Sequence, residues 1–293
     1  MSDKTEDKAV ETTGHSWDGI EEYNNPLPRW WLWTFYATIL WAMIYTILYP
    51  AWPLIHGATA GLLGYSTRAA VAEEIAAVDT KNAGEMQQLA GVSLDELVKP
   101  SPLHDFAVKA GAAVFRSDCS QCHGAGAAGV QSLGYPNLLD DDWLWGGTMA
   151  DIAFTVTNGI RNEQSPDARI GDMPAFGEVL SRDEIVQAAN YVRQISGQSH
   201  DAALASAGAQ VFADNCAACH GDDGKGTRDV GAPNLTDAIW LYGGSVAVLT
   251  TTITGGRGGV MPAWSEKFRG ASGLNRAEIN AVTAYVHQLG GGE

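Results

Sequence analysis

"SDCSQCHGAG", Ser117 to Gly126, places two cysteines two residues apart with a histidine directly after the second. A run of this kind can serve as half of a zinc site, as a redox dithiol, or as the attachment point of a haem. The chain has four cysteines in 293 residues, and the other two lie in "NCAACHGDDG", Asn215 to Gly224. Every cysteine therefore belongs to a C-x-x-C-H unit: Cys119, Cys122, His123 and Cys216, Cys219, His220. With seven histidines in the chain, chance would place one after both pairs about once in two thousand trials. The histidines are part of the chemistry.

Each chemistry makes its own demand. A tetrahedral zinc needs four converging ligands, but the two pairs lie 97 residues apart, each inside its own repeat unit. A thioredoxin-like dithiol needs a strand–helix context and no following histidine. C-x-x-C-H is the c-type haem signature, in which two thioethers hold the porphyrin and the adjacent imidazole ligates iron. Two such motifs that use every cysteine predict two covalently bound haem c groups.

The formal charge is −16 and the pI about 4.7. Phosphate binding needs a basic surface, so nucleic acid is excluded as a partner. An acidic surface keeps a chain soluble and attracts basic proteins. One stretch is of another kind: Trp30 to Tyr49, "WWLWTFYATILWAMIYTILY", has twenty residues and no charge. That is about 30 Å of helix, the thickness of a bilayer's hydrocarbon core. Trp30, Trp31 and Trp33 at one end and Tyr49 and Trp52 at the other form interfacial belts, and Pro50 and Pro53 stop the helix. A cleaved signal peptide does not fit, because 29 residues that are acidic overall precede the segment and no A-x-A-like site follows it. The segment is read as one permanent anchor in contact with membrane lipid. Its orientation is not set by charge, since Arg29 and Arg68 balance on the two sides.

Beyond a polar stretch read as a short helical spacer, with Ser66 or Thr67 as N-cap, the sequence repeats. A shift of 97 superposes Cys119 on Cys216, "PNL" 136–138 on "PNL" 233–235, Trp143 on Trp240, and Gly146-Gly147 on Gly243-Gly244. With small gaps, "NGIR" (158–161) meets "GGR" (255–257) and "DMPAF" (172–176) meets "VMPAW" (260–264). The expected organisation is an N-terminal segment 1–29, an anchor 30–55, a spacer 56–104, and two tandem domains at 105–197 and 198–293. Neither domain shows strand alternation. Each opens with a helix holding C-x-x-C-H and closes with another, the clearer one capped by Ser181 and Glu184. The fold class is all-α.

A haem iron with one histidine has either an open face or a second axial ligand. Met173 and Met261 correspond in the repeat, and each precedes a proline that stiffens its loop. They are the expected iron ligands opposite His123 and His220, one in each domain. Met149 has Val246 at its repeat equivalent and is read as packing; Met86 is read as spacer surface. His56, His104, His200 and His287 are read as solvated or interfacial. Met/His ligation raises reduction potential and leaves no substrate site, which points to two low-spin, electron-carrying haems. The carbonyls of Pro136 and Pro233 are candidates to accept from the ligating imidazoles. Arg161 and Arg257 are candidates to pair with haem propionates.

The run "HSWDGIEEYNNPLPRWW" before the anchor, the single membrane helix and the two C-x-x-C-H/M-P domains together resemble the dihaem cytochrome c subunit (subunit III, CcoP/FixP type) of cbb3-type cytochrome c oxidases. The resemblance spans essentially the whole chain, and the "D-G-I-x-E-x-N-N-P-L-P" run narrows it. It implies two class I cytochrome c folds, with opening and closing helices crossing at Gly111/Phe115 and Tyr191 in one domain and at Gly208/Phe212 and Tyr285 in the other. It implies a single-pass protein of the bacterial inner membrane, its N-terminus cytoplasmic and its haem domains periplasmic. The implied partners are a donor cytochrome c, a monohaem cytochrome c subunit and the haem–copper subunit that reduces O2. No haem–copper centre fits on this chain, because its one membrane helix has no histidine. Two other readings remain open. One is a dihaem carrier for another complex such as an alcohol dehydrogenase. The other is a dihaem peroxidase, which needs an open haem face and against which Met173 and Met261 argue.

Overall fold

The computed structural model describes residues 11–237 and 239–293; the first ten residues of the N-terminal segment, and Ala238, lie outside the described residues. By its contacts the chain divides into two compact units, residues 1–81 and 82–293.

The first unit opens with an antiparallel hairpin of β1 (Thr12–Trp17) and β2 (Ile20–Tyr23). Asp18 and Gly19 join the strands with φ of +50° and +83°. A two-residue hairpin turn requires such left-handed values, and Asp-Gly is a pair that supplies them. The all-α expectation did not include this hairpin, although its turn signal stands in the sequence. Helix α1 (Arg29–Leu48) follows, and Trp30, Trp33, Leu40 and Trp41 stand exposed around it. A helix that is apolar all round belongs in a membrane or a large core. Its last carbonyls, which the Pro50 region cannot cap, are met by the returning chain: Leu62 N–H donates to Ile47 O at 2.9 Å and Leu63 N–H to Leu48 O at 3.1 Å. A short ladder of β3 (Pro53–Leu54) and β4 (Gly57–Ala58) lies within this return. Helix α2 (Thr67–Gly91) then begins with Ser66 Oγ accepting from Ala69 N–H at 3.3 Å. It is 25 residues long, not a short spacer helix.

The second unit takes in the end of α2. Leu89 is fully buried, and its carbonyl accepts from Asn280 Nδ2 at 2.7 Å. Met86, expected at the surface, packs against the same apolar cluster as Leu89, Ala107 and Met149. The rest is helical: α3 (Leu94–Leu97), α4 (Pro102–Val114), α5 (Ser120–His123), α6 (Met149–Asn158), α7 (Arg182–Ile195), α8 (Ala202–Asn215), α9 (Ala217–His220), α10 (Val246–Gly255), α11 (Glu266–Arg269) and α12 (Arg276–His287). A π-helical turn over Phe115–Cys119 joins α4 to α5.

These helices form two lobes, and the lobes do not follow chain order. Each repeat was expected to close on itself, with Phe115 facing Tyr191 and Phe212 facing Tyr285. Instead Phe115 packs on Tyr285 with ring centroids 5.3 Å apart, and Phe212 packs on Tyr191 at 5.2 Å. A Cβ on Gly111 of α4 would strike the Ala281 carbonyl of α12, and one on Gly208 of α8 would strike the Gln187 carbonyl of α7. The first lobe is thus closed by the last helix, and the second lobe by the closing helix of the first repeat. Loop length supplies the reason. Only residues 196–201 separate α7 from α8, and a short connection makes consecutive helices antiparallel neighbours. That loop is held on both sides: Asp201 caps α8 through Ala203 N–H (2.9 Å) and Leu204 N–H (3.0 Å), while Asn190 Oδ1 of α7 accepts from Asp201 N–H (2.9 Å). With α7 taken by α8, α4 is left to α12.

The chain changes lobes twice. After α6 it leaves the first lobe and reaches the second at Met173, and after α10 it returns at Met261. The two passages pair where they cross: Ile160 and Met261 exchange backbone hydrogen bonds at 2.9 and 3.0 Å, as do Met173 and Arg257.

Candidate haem-binding sites

In each lobe the C-x-x-C-H motif ends a helical turn and is followed by a glycine in left-handed conformation, Gly124 and Gly221, both at φ +77°. The loops beyond are built alike. Gly129 N–H returns to His123 O (2.9 Å) and Gly226 N–H to His220 O (2.7 Å); Leu138 N–H meets Ala127 O (2.8 Å) and Leu235 N–H meets Gly224 O (2.7 Å). The repeated "PNL" is explained here, because Asn137 and Asn234 each bend the chain by accepting the amide two residues on, from Leu139 (3.1 Å) and Thr236 (2.9 Å). The repeated "GG" is explained as well: Gly147 and Gly244 lie flat under Trp143 and Trp240, where a Cβ would enter the indole.

These loops aim the histidines. His123 Nδ1–H donates to Pro136 O at 3.2 Å and His220 Nδ1–H to Pro233 O at 3.1 Å. The tautomer so held leaves Nε2 as the free lone pair, which a metal-ligating imidazole needs. Burial lowers the pKa of both rings, against a smaller opposing effect of the proline carbonyls, so both are neutral. Burial, with smaller contributions from Asp118 and Cys122, pushes the Cys119 thiol up to about 12; burial and then Cys219 push Cys216 up to about 11. The attacking thiol of a reactive dithiol carries a lowered value; Cys119 and Cys216 are shifted the opposite way.

The methionines enter crosswise. Met261 packs in the apolar cluster that holds Cys119, Phe115 and Tyr285, and Met173 in the cluster that holds Cys216, Phe212 and Tyr191. The expectation that each repeat keeps its own methionine is replaced by an exchange: His123 shares a lobe with Met261, and His220 with Met173. Met149 is packing, 5% exposed in the cluster around Leu89 and Ala107. His104, His200 and His287 bond to the nearby carbonyls of Leu97, Gln198 and Glu293.

The arginines need a correction. Arg161, aligned with Arg257 in the repeat, donates to the Gly259 and Gly171 carbonyls and braces the crossing. The three-dimensional counterpart of Arg257 is Arg169. Arg257 Nε donates to Thr252 Oγ1 at 3.0 Å and its guanidinium lies 4.1 Å from the Tyr242 ring. Arg169 Nε donates to Thr155 Oγ1 at 2.9 Å with its guanidinium 5.3 Å from Trp145. Thr155 and Thr252 differ by 97, and so do Trp145 and Tyr242, so the pairs were visible in the sequence while the arginine serving the first was hidden by the gap.

The residues present suit a haem in both lobes: a thiol pair, an imidazole held through Nδ1, and a thioether in the apolar cluster that holds the motif's first cysteine. In the second lobe Trp240 Nε1 is buried with no acceptor among the described residues, a donor that a propionate carboxylate would satisfy.

Three family models match the chain: the N-terminal domain of cytochrome oxidase-cbb3, FixP, over residues 9–56; cytochrome c oxidase, cbb3-type, subunit III, over 106–192; and cytochrome c over 205–290. The cbb3-type cytochrome c oxidase subunit CcoP of Cereibacter sphaeroides is 60% identical over 284 residues, which cover 96% of this chain and 95% of that protein. Subunit FixP of Azorhizobium caulinodans is 51% identical over 283 residues (96% and 94%), and subunit FixP of Sinorhizobium medicae is 48% identical over 297 residues (100% of both).

Proposed function

This chain belongs to the subunit III (CcoP/FixP) family of cbb3-type cytochrome c oxidases, and on that premise we propose that it is the membrane-anchored electron feeder of such an oxidase. It carries one covalently attached haem c in each lobe. The observation that carries this reading is that in each lobe the first cysteine of a C-x-x-C-H motif shares one apolar cluster with the methionine of a Met-Pro loop, Cys119 with Met261 and Cys216 with Met173. Haem iron held there supplies one-electron transfer at a raised potential. Cys119 and Cys122 would hold the first porphyrin by thioether bonds, with His123 and Met261 as iron ligands; Cys216 and Cys219 would hold the second, with His220 and Met173. The Pro136 and Pro233 carbonyls keep each imidazole in one tautomer. Trp240 Nε1 and Arg257 are the donors for propionates in the second lobe, whereas Arg169 is already paired with Asp151 at 3.3 Å.

With His123 and Met261, and His220 and Met173, as its ligands, a haem iron in either lobe would have no open position for a substrate, so no catalytic centre is assigned to this chain. Its role is relay: electrons arrive from a donor cytochrome c and leave to the haem–copper subunit. Helix α1 docks among the membrane helices of partner subunits, the N-terminus in the cytoplasm and the lobes in the periplasm. Removal of residues 1–55 tests this. The exported remainder should retain two haems that reduce and reoxidise, yet fail to support oxygen uptake in membranes that lack the full-length subunit, because tethering is what keeps the effective concentration high. Wild-type uptake at equal, micromolar haem would refute the feeder role of the anchor.

A further inference from the structure

Two glycines sit where the lobes touch. Gly134 (φ +71°) and Gly231 (φ +61°) are repeat equivalents in the loops that follow the two C-x-x-C-H motifs. Gly134 lies two residues before Pro136, whose carbonyl holds His123, and Gly231 two before Pro233, whose carbonyl holds His220. A Cβ on Gly134 would enter the ring of Tyr242, which belongs to the second lobe, and a Cβ on Gly231 would enter the ring of Trp145, which belongs to the first. Trp145 and Tyr242 are also repeat equivalents, and each is covered by a guanidinium, Arg169 at 5.3 Å and Arg257 at 4.1 Å. Each lobe therefore plants one braced aromatic ring on the histidine loop of the other. Gln131 Nε2, donating to Trp240 O at 2.7 Å, adds a bond beside the same contact.

We infer that Trp145 and Tyr242 are positioning residues, each of which sets the reduction potential of the haem in the opposite lobe by fixing the loop whose carbonyl orients that haem's histidine. The inference rests on haem occupying both lobes as proposed above. The physical step is short. A left-handed glycine lets the ring lie directly on backbone. Removing the ring leaves a void against that backbone, and the loop relaxes into it. The Nδ1–H···O=C bond then weakens, the imidazole becomes a poorer electron donor to iron, and the ferrous state is favoured.

The test is a redox titration of the full-length, two-haem protein, with the haems assigned by their separate responses to Met261→Leu and Met173→Leu. Tyr242→Leu should raise the reduction equilibrium constant of the haem on Cys119/Cys122 by about threefold to tenfold, tenfold being ~59 mV for one electron. The haem on Cys216/Cys219 should stay put. Trp145→Leu should do the reverse, and Tyr242→Phe and Trp145→Phe, which keep a ring on the glycine, should leave both haems unchanged. Trp145 is only 8% exposed; if its leucine variant does not accumulate, the half-buried Tyr242 decides the question alone. A shift confined to the mutated residue's own lobe, equal shifts in both haems, or no shift would overturn the inference. Wild-type protein without two haems would instead refute the functional reading beneath it.

Discussion

Exchange of the methionines can be tested with one haem removed. In a Cys119→Ala/Cys122→Ala background only the second lobe keeps a covalent haem, on Cys216 and Cys219. The structure places Met173 in that lobe, although Met261 follows the remaining motif in the chain. Met173→Leu should therefore abolish the low-spin Met/His spectrum, whereas Met261→Leu should leave it intact. Methionine to leucine nearly conserves volume and costs less than ~1.5 kcal/mol. The loops also stay in place, because Met173 is pinned by backbone bonds to Arg257 at 2.9 and 3.0 Å, and Met261 by the same pair of distances to Ile160. The loss is then one of ligation and not of fold. Its size in the Met173→Leu protein should exceed one decade in the reduction equilibrium, or ~59 mV downward. Redox titration and the Met-dependent near-infrared absorption of the oxidised protein measure it. If Met261→Leu destroyed the remaining low-spin signal and Met173→Leu spared it, each repeat would ligate its own haem and the crossed lobes would be wrong.

Gly111→Val should block the α4–α12 crossing at the Ala281 carbonyl and cost on the order of 1–3 kcal/mol, read as lowered Tm and haem content, while Gly84→Ala, with open space around it in α2, should raise stability by up to ~1 kcal/mol. Asp201→Ala removes the cap that receives the amides of Ala203 and Leu204 and should cost about 1 kcal/mol, or ~2–4 °C in Tm. Burial first, and then Asp237, Asp140 and Asp141, push the Asp142 carboxyl from 3.8 up to about 6. A folded value above the unfolded one means that ionisation opposes folding, so stability falls as pH rises from about 4 through 6. Asp142→Asn should accordingly gain about 1–2 kcal/mol at pH 7, discounted for partial exposure, with the gain shrinking toward zero near pH 4 in denaturant titrations.

The sequence by itself determined which residues are the candidates for the chemistry of this protein. C-x-x-C-H, M-P, "PNL" and "GG" are local devices whose spacing already places ligand, loop and turn, and a charge-free run of membrane length needs no partner to be recognised. Asp18-Gly19 was legible in the same way, as the turn of a hairpin. What only the tertiary structure decided is which half of one repeat completes which half of the other. Helices α7 and α12 carry equivalent faces, Tyr191 and Tyr285 included, so periodicity treats them as interchangeable, and the family models, which run along the chain, match 106–192 and 205–290 as whole repeats. The choice was made by the six-residue link between α7 and α8, which holds those two together and leaves α12 to return to α4. Arg169 belongs to the same class of fact. It matches Arg257 by what it touches, Thr155 and Trp145, and no alignment of the two repeats reaches it, because its position exists only once the chain has crossed between the lobes.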